Sequence, residues 1–136
     1  MAGVRYVTID DVISYHAAIY RSEGLAPAPL IALGKLESAV LRPESAAFGA
    51  EFFPTLAEKA AALIQGIAIA HPFLDGNKRA AAAAMLLFLE LNGVAVDIDQ
   101  GLLYDFVIAV TTGELREIED IAARLRELFA PHLDGR

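Results

Sequence analysis

The chain has 136 residues, no cysteine and a formal net charge of −7. A length of this order suits one domain with a core of its own, needing neither disulfides nor a structural metal, so a single domain is expected over residues 1–136. The acidic balance argues against unaided binding to DNA or RNA, which shows as clustered Lys and Arg facing the phosphate backbone, and no direct nucleic-acid partner is expected.

The opening sequence MAGVRYVTIDD has no apolar stretch of signal-peptide length, and with the absence of cysteine this gives a cytoplasmic expectation. Thr8, followed by Asp10 and Asp11, reads as a helix N-cap with an acidic first turn; apolar positions continue to Tyr20 and stop at Gly24. Gly24 to Leu33, with Pro27 and Pro29, reads as a loop, and Lys35 to Leu41 as a short helix closed by Arg42 and Pro43. Glu44 to Phe53 is irregular, a loop or a short hairpin carrying Phe48, Phe52 and Phe53. Pro54 suits a first helical position, and Leu56, Ala60, Leu63, Ile64 and Ile67 keep a helical period up to His71.

The next helix is predicted from Gly76 to Asn92. It is apolar all round, which marks a helix surrounded by others, and its five consecutive alanines, Ala80 to Ala84, allow close approach of a neighbour. Apolar residues make up 56% of the chain, so a membrane span has to be tested here. The uncharged run Ala80 to Leu89 is far short of the roughly 20 residues a spanning helix needs, and no membrane partner is expected. Asn92 and Gly93 form a stop; Val94, Val96 and Ile98 alternate with Asp97 as in a short edge strand. Helices over about Gly101 to Thr111 and Glu114 to Phe129 complete the chain, the last with Arg116, Asp120 and Arg124 at the i,i+4 spacing. The expected class is all-α, a helical bundle around a buried central helix with at most a minor strand or hairpin.

Chemistry concentrates in HPFLDGNKR, His71 to Arg79. Pro72 ends one helix and Gly76 opens another, whose first amides have no intrahelical partner and, with the helix dipole, form an anion site. Singly, each member has an ordinary reading. Asp75 is a preferred N-cap, Gly76-Asn77 a turn, Lys78 and Arg79 solvated cations, and His71 a partner for a helix C-terminus. Jointly they point at one pocket. A carboxylate beside phosphate needs a bridging cation, and Mg²⁺ takes one or two carboxylates plus phosphate oxygens, which suits Asp75. Gly76 admits close backbone approach, Asn77 can donate from its side chain, Lys78 and Arg79 reach back over the pocket, and His71 is placed to take a proton from a hydroxyl. Phe73 is assigned the structural role of plugging the loop into the core. His16 and His132 read as structural or exposed, and Asp97, Asp99 and Asp105 as a solvated rim.

HPFLDGNKR resembles the signature of the Fic/Doc family, HxFx(D/E)GN followed by a variable residue and Arg, and Lys78 is what the Doc branch carries at the variable position. GKLESAVLRP (34–43), PTLAEKAA (54–61) and LLFLELNG (86–93) are similar to the neighbouring stretches of that branch. The resemblance implies a compact Fic/Doc-type helical bundle and a death-on-curing toxin of a toxin–antitoxin pair, which moves part of a nucleoside triphosphate to a protein hydroxyl. In Fic relatives the group is AMP; in Doc it is the γ-phosphoryl of ATP, moved onto translation elongation factor Tu, which arrests translation. Carried over by position, His71 is the base, Asp75 the Mg²⁺ ligand, and Gly76, Asn77, Lys78 and Arg79 the phosphate pocket. AMP-transferring relatives usually have a further Arg three residues after the first; here that position is Ala82, which together with Lys78 favours phosphoryl transfer. The alternatives are an AMP transferase and a non-catalytic, antitoxin-binding corepressor. With no Ser/Thr-xxx-Glu inhibitory pattern found, control is expected from a separate Phd-like antitoxin whose C-terminal segment folds onto the toxin.

Overall fold

Thr8 starts the first helix in the computed structural model, which describes residues 3–133 and 136. Its hydroxyl accepts the Asp11 amide while Asp11 accepts the Thr8 amide, a reciprocal cap that opens α1 (Ile9–Ser22). α2 (Leu33–Leu41) continues into a 3₁₀ turn, Arg42–Glu44. The irregular stretch after it resolves into a hairpin of two-residue strands, β1 (Ala46–Ala47) and β2 (Ala50–Glu51), paired antiparallel. Phe48 and Gly49 turn it with φ of 54° and 79°, the positive pair that tight hairpin turns require.

α3 (Leu56–Ala70) is capped by Thr55, whose hydroxyl accepts the Glu58 amide at 3.2 Å. Pro54 therefore precedes the cap instead of opening the helix. α4 spans Asn77–Leu91, α5 Gln100–Thr111 and α6 Ile118–Leu128. Asp99, read as part of a solvated rim, caps α5 by accepting the Leu102 amide at 3.0 Å. The last helix begins later than its sequence pattern suggests, so Arg116 lies outside it and donates to the Gly113 carbonyl at 3.1 Å in place of pairing with Asp120.

Val94 to Ile98 forms no strand, a further departure from expectation. Among the described residues β1 and β2 pair only with each other, which leaves this segment without a ladder to join. The alternation is still used: Val94 is buried, and Val96 and Ile98 pack half-buried against the core. The class is all-α with one minute hairpin.

α3 and α4 form the central pair, and α3 is the deeper of the two. It packs against α2, α4, α5 and α6, and Ala57, Ala60, Ala61, Ala62 and Ile64 are wholly buried. α4 keeps Ala82, Ala83, Leu86 and Leu87 only partly covered, so being apolar on all sides did not make it the innermost helix. Arg42 fastens α2 to α3, its guanidinium donating to Ala62 O and Gln65 Oε1 at 3.0 Å each. Among the described residues no helix is long and apolar enough to cross a membrane.

Candidate active site

The loop between α3 and α4 is fixed from four directions. His71 ends α3 in the left-handed region, φ 49° and ψ 55°, its amide donating to Ile67 O at 3.1 Å. Pro72 thus removes its predecessor from the helix, as the sequence implied, but into a conformation uncommon for a non-glycine residue, and not the extended one usual before proline. The Pro72 carbonyl accepts the amides of Ile31 and Ala32 at 2.8 and 3.0 Å, and Leu74 donates to Pro29 O at 2.9 Å. The segment after α1 thereby lies antiparallel to the loop, with Leu30 bridged to Phe73.

Phe73 is 1% exposed and stacks on His16, ring centroids 3.7 Å apart and planes 7° from parallel. Its backbone is clamped by the Asn77 side chain: Oδ1 accepts the Phe73 amide at 2.9 Å and Nδ2 donates to the Phe73 carbonyl at 2.8 Å. Asn77 is buried, so its side-chain amide braces the loop, and its backbone N–H stands at the open end of α4. Phe73 is thereby held between the His16 ring and the Asn77 side chain.

Gly76 caps α4 with φ 81°, and a Cβ there would lie 2.9 Å from Tyr20 Oη and 3.0 Å from His16 Nε2. The position is closed to side chains on both counts. Intrahelical bonding begins with Ala80 donating to Gly76 O, so the amides of Asn77, Lys78 and Arg79 stand at the open, positive end of the helix. That end borders a cleft of about 580 Å³ lined by Asp75, Gly76, Lys78, Arg79 and Ala82, and closed on the far side by α5 through Leu103, Tyr104 and Val107. The size suits a small-molecule ligand, and charge lies on one wall with apolar surface on the other. His71 is exposed at the end of α3 and is not part of that lining.

Two residues of α1 and its C-cap, none of which the sequence pattern marks as functional, complete the site. His16, 2% exposed, bonds through Nε2 to the Asp75 carbonyl at 2.9 Å; a carbonyl can only accept, so Nε2 carries the proton. Tyr20 donates to Asp75 Oδ2 at 2.5 Å, and Glu23 pairs with Arg79 Nη1 at 2.5 Å. Positions 16, 20 and 23 share one helix face, which a periodicity argument reveals only as an amphipathic stripe.

The Tyr20 hydrogen bond, then the Gly76 amide, hold the Asp75 carboxyl below the usual carboxylate range. The same Asp75 contact raises Tyr20 above the usual phenol value, and Glu23 raises Arg79. Asp75 is thus held as an anion facing Lys78 and Arg79. Among the described residues no three His, Asp or Glu side chains gather to hold a metal by themselves. A single carboxylate beside two cations and open helix-end amides fits a Mg²⁺ shared with an anionic ligand and water, not an all-protein cage.

The sequence model of the Fic/DOC family matches residues 6–89, taking in α1 and the whole loop. The chain belongs to the Fic/DOC family. It is also 43% identical over 104 residues to Toxin Doc of Mycolicibacterium smegmatis (strain ATCC 700084 / mc(2)155), covering 75% of this chain and 79% of the relative. The family match spans the loop from His71 to Arg79 together with α1, whose His16 and Tyr20 hold Asp75. The stretch from Gly34 to Pro43 that resembles the Doc branch is α2 with its closing turn, the brace on the flank of α3.

Proposed function

We propose that this chain is a Doc-type toxin and that it transfers the γ-phosphoryl group of ATP to a Ser or Thr hydroxyl of a target protein, elongation factor Tu being the expected target. The observation that carries the reading is the wall of the cleft: Asp75, Lys78 and Arg79 stand at the open N-terminus of α4, with Ala82 beside them. Two cations and the helix-end amides of Asn77, Lys78 and Arg79 suit a polyphosphate. Ala82 lines the cleft where AMP-transferring relatives carry Arg, so the second guanidinium that orients a nucleotide for AMP transfer is missing from the spot where it would act.

In this mechanism Asp75 is the residue that would hold Mg²⁺, and the ion would supply charge neutralisation on the phosphates of ATP. Arg79 and Lys78 bind the phosphate oxygens, and the α4 amides complete the cradle. His71 takes the proton of the target hydroxyl as the hydroxyl oxygen forms its bond to the γ-phosphorus and the bond to the β–γ bridging oxygen breaks, leaving ADP. An exposed base suits a macromolecular acceptor, whose hydroxyl approaches from solvent. The partner is proposed to be a Phd-like antitoxin.

Incubation with Mg²⁺ and elongation factor Tu, in parallel with α-labelled and γ-labelled ATP, tests the reading. Label on the target from the γ position alone, lost in His71→Ala, is expected. Transfer from the α position would make the chain an AMP transferase. His71→Ala is also expected to abolish growth arrest while keeping antitoxin binding, whereas the absence of His71-dependent label from either position would favour the corepressor reading.

A further inference from the structure

We propose that Tyr20 is a positioning residue for Asp75, holding one carboxylate oxygen so that the other is presented to the cleft for the divalent cation. The inference rests on the reading of Asp75 as the Mg²⁺ ligand and concerns a residue outside the motif.

Tyr20 stands on α1, 55 residues from Asp75 in sequence, and is 6% exposed. Its hydroxyl is spent on Asp75 Oδ2. The ring has two close neighbours: His16 lies with its ring centroid 5.0 Å away, and the Arg79 guanidinium sits 5.2 Å from the Tyr20 centroid. His16 in turn is stacked on Phe73 and bonded to the Asp75 carbonyl, so the phenol belongs to the same rigid block as the loop it serves. One side chain therefore contacts both the carboxylate and the guanidinium of the phosphate wall.

The last torsion of a carboxylate is broad, and that of Asp75 is restrained by the Tyr20 hydroxyl and, less strongly, by the Gly76 amide. A donor fixed on one oxygen removes that freedom and leaves the second oxygen as the metal-facing one. Ligating carboxylates are ordinarily oriented by such a neighbour, and its loss costs roughly 10-fold to 100-fold in metal affinity. The ring also gives Arg79 a face to lie on, so the two groups that must meet the same phosphate are spaced by one aromatic side chain.

The test is Mn²⁺ binding, followed by the electron paramagnetic resonance signal of the free ion, to the full chain loaded with a non-hydrolysable ATP analogue. Wild type, Tyr20→Phe and Asp75→Asn are compared, with thermal melts of each. Tyr20→Phe keeps the ring, its packing and the Arg79 contact, and removes only the hydroxyl. Mn²⁺ affinity is expected to fall about 10-fold in Tyr20→Phe with the melt unchanged. Tyr20→Phe binding Mn²⁺ as wild type does, while Asp75→Asn does not, overturns the positioning role and leaves the Asp75 reading intact. Equal binding by wild type and Asp75→Asn overturns both. A Tyr20→Phe melt that collapses along with affinity assigns Tyr20 to packing and overturns the proposal as well.

Discussion

Asn77 shows how a motif residue can be legible in the sequence while its task is not. The nine-residue stretch drew attention because a histidine, a carboxylate, a glycine and two cations follow one another, and a contiguous pattern needs no fold to be seen. The residue type of Asn77 suggests a donor to phosphate, and nothing in the pattern tells that its side chain also closes two hydrogen bonds on the Phe73 backbone in a buried position. Asn77→Ala leaves a buried amide and a buried carbonyl without partners, and urea denaturation is expected to show a loss of about 2 kcal/mol or more. Asn77→Asp retains the acceptor for the Phe73 amide but sets an oxygen against the Phe73 carbonyl, so it should not rescue stability. Were Asn77 a phosphate donor alone, both variants would melt as wild type does. His16, Tyr20 and Glu23 were invisible for the opposite reason. Each is an ordinary residue of an amphipathic helix, and its importance comes from a partner more than fifty positions away.

Among the elements, the hairpin β1–β2 depends on a side chain of α3. Lys59 is 1% exposed, donates to Glu51 Oε1 at 2.6 Å and to the Pro43 carbonyl at 3.3 Å, and lies 5.5 Å from the Tyr6 ring. Removing either end of the pair has unequal effects. Glu51→Ala leaves a buried ammonium short of its anion and is expected to cost about 1–3 kcal/mol, whereas Lys59→Met, of similar volume, should cost under about 1.5 kcal/mol while releasing β2. Denaturation curves compared with protease susceptibility near Gly49 separate the two outcomes. Burial works against the Lys59 charge, but the Glu51 bond and Tyr6 outweigh it, and the pKa is raised above 10.5. A raised folded value means the contribution is full below the unfolded pKa and is lost as pH rises through the folded one. Stability differences between wild type and Lys59→Met should thus stay constant across neutral pH and shrink only in strong alkali. The hairpin was half legible, since Gly49 marked a turn but nothing marked its anchor. The segment from Val94 to Ile98 misled because alternation reports a half-buried extended chain, and only a free neighbouring edge turns that into a strand.

For the molecule as a whole, the decisive contact is between α3 and α4, because α4 carries Lys78 and Arg79, the charged wall of the cleft, at its N-terminus. All-round apolarity pointed to α4 as the central helix, while Glu58, Lys59 and Gln65 disguised α3, whose lysine is nonetheless buried. Alanine supplies the closeness: Ala57, Ala60 and Ala61 on α3 and Ala80, Ala81 and Ala84 on α4 are each at most 2% exposed. Two neighbouring alanines of α4 should therefore respond to leucine in different ways. Ala81 is wholly buried, so Ala81→Leu has no free volume to enter and overpacks the interface at a cost of about 1–3 kcal/mol, pushing the start of α4 and its cations outward. Ala82 is partly exposed and faces the cleft, so Ala82→Leu should leave the denaturation midpoint near that of wild type while crowding the space between Arg79 and α5. Isothermal titration with an ATP analogue and Mg²⁺ is expected to show weakened binding for both, with unfolding changed for Ala81→Leu alone. Should Ala82→Leu bind the nucleotide as wild type does, the cleft between α4 and α5 is not where the triphosphate lies.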